Sequence, residues 1–245
     1  MTDIALAGTF RLADVFGKAV AIYGRRFVPF IILTVIASIP DYIALWAIGV
    51  PNERPDAVSF IPGRIGLNLV DFATRSLASG AVIYGVVQDL RGRAFSVADS
   101  IQIALGRFFP MLGVAMCTTL AVGFGFVLLI VPGIILACMY YVAMPACVAE
   151  RVGVFASMSR SSFLTRGYRW QVFGMFLLIL VGGIVLGAIL GMVFALSGRI
   201  GLLISTQALG AIISSFNGVL VSVFYYELRV AREGIDIDKI ASVFD

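Results

Sequence analysis

Asp71 and Arg75 stand four residues apart in the apolar stretch 65–90, a spacing that puts acid and base on one helical face. Ionisable side chains inside a membrane segment are costly, and they point to a pathway that faces the bundle interior or water. Asn68, three residues earlier, shares the face of Asp71, and Asp41, just after Pro40 in the preceding apolar stretch, is placed to approach them. Asp41, Asn68, Asp71 and Arg75 thus form a candidate intramembrane polar site suited to transport or lipid handling. If the second span starts nearer Leu77, the Asp71–Arg75 pair sits at the outer interface instead, as a structural pair.

Other chemistry is poorly provided for. The chain has no histidine, the commonest proton shuttle and metal ligand. Cys117, Cys138 and Cys147 all lie in apolar stretches and read as small buried hydrophobes. No phosphate-binding loop, nucleotide fingerprint, metal cluster or nucleophile with an adjacent base is present, so no cofactor, no metal and no enzymatic activity are expected. Gly123-Phe124-Gly125 lacks a following Lys-Ser/Thr and reads as a packing feature. The net charge of +4 is spread over short segments between apolar runs, which argues against nucleic acid and for membrane loops.

The elements that must position these residues follow from composition. Of 245 residues 60% are hydrophobic and 13% charged, against about 45–50% and about 25% in soluble domains. With a mean hydropathy of +1.03, the fold class is an all-α integral membrane protein. A crossing needs about 20 apolar residues, which predicts six spans near 27–50, 65–90, 109–131, 133–149, 172–197 and 201–228. Residues 1–234 then form one polytopic domain and 235–245 a short tail. The polar start, residues 1–26, is not arranged like a cleavable signal. Pro132-Gly133 is taken as a hairpin tip, with a broken helix through Pro132 as the competing reading.

Six spans put fourteen Lys and Arg residues on the side of the termini and three on the other, with Arg75 alone inside a span. That asymmetry predicts both termini on the cytoplasmic side.

Three inner segments resemble one another: Phe10 to Pro29, Phe95 to Pro110 and Val154 to Trp170. Each reads as a short amphipathic helix, then a Gly/Arg/aromatic junction, then a span. Such helices lie in the interface with arginines at phosphate depth, so Arg25, Arg26, Arg107, Arg166 and Arg169 are candidate lipid-headgroup contacts. Three helix-plus-hairpin units are the resulting architecture; generic basic inner loops are the alternative. Glu150 and Arg160 flank the third inner helix, and Arg229 and Glu233 form a structural i,i+4 pair in a helix ended by Gly234. Gly183, Gly187 and Gly191 offer a close-packing face for a neighbouring helix or a second copy of the chain. Gln207, Ser214, Ser215 and Asn217 are able to bond across helices or to line a pathway.

The chain resembles a bacterial family of six-span proteins named for the membrane domain found beside some glycerophosphoryl diester phosphodiesterases. The resemblance rests on Val131-Pro132-Gly133-Ile134 with Tyr140-Tyr141, on Pro145 and Glu150, and on Ser159-Arg160-Ser161-Ser162 with Leu164-Thr165-Arg166-Gly167. Tyr225-Tyr226-Glu227-Leu228-Arg229 and Arg232-Glu233-Gly234-Ile235-Asp236 continue it. It implies the fold of an accessory membrane domain. It does not carry the phosphodiesterase activity, because that chemistry uses histidines this chain lacks. Two functions are therefore expected in order: a non-catalytic inner-membrane protein that binds anionic lipid or a membrane partner, and a small transporter or lipid-handling channel built on Asp71 and Arg75.

Overall fold

The computed structural model describes residues 11–40, 43, 57–93, 96–195 and 198–233. Among them there are helices and no strands. In chain order they are α1 (Leu12–Arg25), α2 (Phe27–Ala37), α3 (Ala57–Leu90), α4 (Val97–Gly106), α5 (Phe108–Leu128), α6 (Ile130–Tyr140), α7 (Ala143–Glu150), α8 (Val154–Thr165), α9 (Arg169–Ala195) and α10 (Gly198–Glu233). Four segments are long and apolar enough to cross a membrane: Phe108–Leu128, Ile130–Glu150, Arg169–Ile189 and Leu209–Glu233. A fifth arises if α1 and α2, bent by 81°, count as one broken span. Six were expected. The shortfall falls on 27–50, of which the part beyond Pro40 lies outside the described residues apart from Ile43, and on α3, whose apolar run is interrupted by Asp71, Arg75 and Asp89.

Short helices lead into long ones at two places, α4 into α5 and α8 into α9, whereas α1, of 14 residues, leads into α2, of 11. α1 buries Val15, Ala19 and Ile22 at helical spacing and lays that face on α10, where Phe16 and Tyr23 meet the Phe216 ring edge-on. Ser96 caps α4 by accepting the Ala98 amide at 3.2 Å, which satisfies one of the orphan donors of the first turn. α8 turns the usual pattern inside out. Its Ser157, Ser161 and Thr165 are buried, and Ser161 and Thr165 both donate to the Met139 carbonyl, at 2.8 and 3.3 Å. Its Phe155 points outward.

Each junction after a short helix is tied to a helix returning to the same end. Arg26 donates to Asp89 at the end of α3 at 3.2 Å. Arg107 donates to the Cys147 and Arg151 carbonyls at the end of α7, at 3.0 and 3.1 Å. Arg232 of α10 donates to the Arg166 carbonyl at 2.5 Å. Arg26 and Arg107 share nearly the same backbone conformation, φ −122°, ψ 27° and φ −114°, ψ 14°.

The α5–α6 reversal comes at Leu129, which is extended, rather than at Pro132-Gly133. Pro132 is instead the third residue of α6, where its missing N–H falls among donors without an intrahelical partner. Gly133 serves close approach: a Cβ there would stand 2.5 Å from the Phe126 ring, and one on Gly125 2.9 Å from Gly133 Cα. The break between α6 and α7 precedes Pro145, which has no N–H for the Tyr141 carbonyl and crowds it.

The core gathers where α1, α2, α3 and α10 meet the start of α5, the end of α6, and α7 and α8. Gly218 admits Val82 of α3 and Gly80 admits Met111 of α5; a Cβ would stand 2.8 and 2.3 Å from them. Gly113, where a Cβ would stand 2.7 Å from Val154 of α8, and Gly125 and Gly133 are further close approaches. At the expected packing face, Gly183 and Gly187 meet Ile213 and Leu209 only at ordinary contact, 3.8 and 3.6 Å, and Gly191 meets nothing within 4 Å.

Candidate functional site

The arginines at the junctions after the short helices divide into two groups. Arg26 and Arg107 are engaged within the fold, the first with Asp89 and the second as a cap on the last carbonyls of α7. Arg25, Arg166 and Arg169 are exposed, and none has an ion-pair partner among the described residues. Arg169 approaches only the Met139 sulfur, at 3.8 Å. Trp170, 83% exposed, follows Arg169, and Phe27 and Phe109 stand exposed beside Arg26 and Arg107. Aromatic rings next to arginines at helix ends are the composition of a membrane–water boundary.

A charge cluster closes the same end of the bundle. Arg160 on α8 donates through Nε to Glu150 at 2.8 Å, and its Nη2 pairs with Glu233 at the end of α10. Glu233 also accepts Arg229 Nε at 2.9 Å. The Tyr225 hydroxyl donates to Glu150 at 2.6 Å. Arg160 and Arg232 flank the Phe163 ring, 5.8 and 5.3 Å from its centroid. Burial works against the Arg160 charge, yet its hydrogen bonds to two carboxylates outweigh that and raise its pKa. The expected Arg229–Glu233 pair is therefore present, but as part of one cluster with Glu150 and Arg160. Lys18 on α1 adds a separate tie to Glu227 on α10 at 2.6 Å.

The candidate intramembrane site is assembled only in part. Arg75 Nε donates to Asp71 Oδ1 at 2.6 Å, with side chains 70% and 37% exposed, and Asn68 is exposed. The pair lies on the outer surface of the bundle. Asp71 precedes Asp89 by 18 residues, about 27 Å along a helix. Asp41 lies outside the described residues.

A cavity of about 300 Å³ opens between α1, α9 and α10. Phe16 and Tyr23 form one wall, Leu178, Gly183 and Leu186 a second, and Ile212 and Phe216 a third. The Tyr23 hydroxyl lies 2.8 Å from Ser215 Oγ and donates at 3.3 Å to the Ile212 carbonyl. The sequence reading reached Ser215 and Gly183 but had no signal for Tyr23, whose role depends on α1 folding back onto α10.

Comparison with protein-family models, with curated proteins and with solved structures finds no match for this chain.

Proposed function

We propose that this chain is a non-catalytic, multi-pass protein of a bacterial inner membrane that binds anionic phospholipid through Arg25, Arg166 and Arg169. The observation that carries the reading is the sorting of the inner arginines. Arg26 and Arg107 are engaged by Asp89 or by helix-end carbonyls, whereas these three have no ion-pair partner among the described residues, and Arg169 stands beside the exposed Trp170. Each contributes about 1 kcal/mol near an anionic leaflet. The 81° turn at Arg26 supports an α1 that lies along the inner surface, and the repeated order of short helix, arginine junction and long helix supports three units and six spans with both termini inside. On this reading the protein is a stand-alone relative of the family it resembles, supporting envelope organisation or a membrane-protein partner.

The test is native mass spectrometry of the full chain from nanodiscs holding equal phosphatidylglycerol and phosphatidylcholine. Retained lipid is expected to be mainly phosphatidylglycerol, and Arg25→Gln with Arg166→Gln and Arg169→Gln is expected to abolish the preference. Equal retention of both lipids by the unmodified chain would overturn the reading. The transporter alternative rests on Asp71 and Arg75, whose exposure on the bundle surface does not favour it.

A further inference from the structure

We propose that the cavity between α1, α9 and α10 holds one acyl chain of an inner-leaflet phospholipid; this rests on the lipid-binding reading above and names the part of the lipid the fold recognises. The cavity, about 300 Å³, is at the lower end of ligand-pocket sizes. It is too narrow for a partner helix, about 10 Å across. Water is a poor occupant, because it needs two to four polar partners and the hydroxyls here, Tyr23 and Ser215, already bond each other and the Ile212 carbonyl.

The surroundings identify the source of an apolar occupant. Leu178, on the wall, is 46% exposed, and Val181, Ile184 and Val185 continue that exposed apolar surface along α9. The mouth therefore opens onto hydrocarbon. From Leu178 to Leu186 the wall runs eight residues, about 12 Å, the shape of a chain segment rather than of a compact ring. Gly182 and Gly183 keep the space open: a Cβ on Gly182 would meet nothing within 4 Å, and one on Gly183 would meet only Ile213 at 3.8 Å. Tyr23 and Phe16 place the interfacial helix against the same space, so the chain that enters belongs to the leaflet α1 lies in.

The experiment uses the full chain in nanodiscs containing a phosphatidylglycerol with a photoreactive diazirine on its acyl chain, with labelled residues mapped by mass spectrometry. Labelling is expected to concentrate on residues 178–186 of α9 and 212–216 of α10, above the level at the more exposed Met192. Gly183→Leu, which fills the space, is expected to lower labelling of those segments about tenfold, while Gly191→Leu, away from the cavity, leaves it unchanged. Leu186→Ala, which enlarges the space, is expected to raise it, and serves if Gly183→Leu does not fold. Labelling in simple proportion to surface exposure, or labelling that neither variant changes, would overturn the proposal. The same acyl probe on a phosphatidylcholine head separates the two readings: cavity labelling without headgroup preference removes the arginine site and leaves the acyl site standing.

Discussion

Tyr225 and Arg160 converge on one oxygen: Glu150 Oε1 accepts the tyrosine hydroxyl at 2.6 Å and the guanidinium Nε at 2.8 Å. The three residues come from α7, α8 and α10, and Glu233 adds the end of α10 to the same guanidinium. A half-buried cation shared by two carboxylates is worth more than a surface pair, because removing it leaves both acids partly desolvated and facing each other.

Arg160→Ala is therefore expected to destabilise the protein by about 2 kcal/mol, measured by thermal unfolding in detergent. Glu150→Gln should cost less, since Tyr225 and Arg160 keep an acceptor there. The double variant should lose clearly less than the sum of the two, as coupled residues do. Strict additivity would show that the cluster is not one unit.

Gly133→Ala should weaken the α5–α6 hairpin, because its Cβ would stand 2.5 Å from the Phe126 ring and a rigid ring has little room to yield. The expected cost is about 1–3 kcal/mol. Gly191→Ala meets nothing within 4 Å and should be neutral or stabilising by about 0.5–1 kcal/mol through helix propensity. Equal melting shifts in the two variants would contradict the packing described.

Arg151 has φ 56° and ψ 32°, the left-handed conformation, at the end of α7. A side chain there costs about 1–2 kcal/mol relative to glycine, so Arg151→Gly is expected to raise stability, and the Arg107 bond to the backbone carbonyl at 151 survives the change. A lower melting temperature would mean that the Arg151 side chain does more than the backbone requires.

Asp71→Asn and Arg75→Gln, singly or together, should change stability by at most about 1 kcal/mol, as for exposed pairs generally. Cysteines at the two positions, placed in a chain freed of Cys117, Cys138 and Cys147, are expected to react with an impermeant thiol reagent from the outer side only. Reaction from the inner side would point to an aqueous path through the bundle and restore the transport reading.

Much of this was legible in the residues. Apolar length and amphipathic spacing predict long helices and short ones, because burial against lipid is read directly from side-chain type. Glu150 with Arg160 and Arg229 with Glu233 were each visible as local features. Their union was not, because residue 150 and residue 233 meet only after α8, α9 and α10 have packed. Glycine spacing also misled: four-residue intervals mark Gly183, Gly187 and Gly191, yet the tight contacts are at Gly80, Gly113, Gly125, Gly133 and Gly218. Spacing describes one helix, whereas close approach depends on which side chain the neighbouring helix presents. The hairpin tip shifted from Pro132 to Leu129 for a similar reason, since proline fits a helix's first turn as well as a loop.

The α5–α6 hairpin also bears on how the chain enters the bilayer. No charged residue lies between Arg107 and Glu150, so carrying Leu129 to the far side translocates no charge and does no work against the membrane potential, about 2.3 kcal/mol per charge per 100 mV. On the six-span reading the first hairpin must instead carry Glu53, Arg54, Asp56 and Arg64 across, two charges of each sign. Collapsing the potential with an ionophore during synthesis should thus leave insertion of the middle hairpin intact.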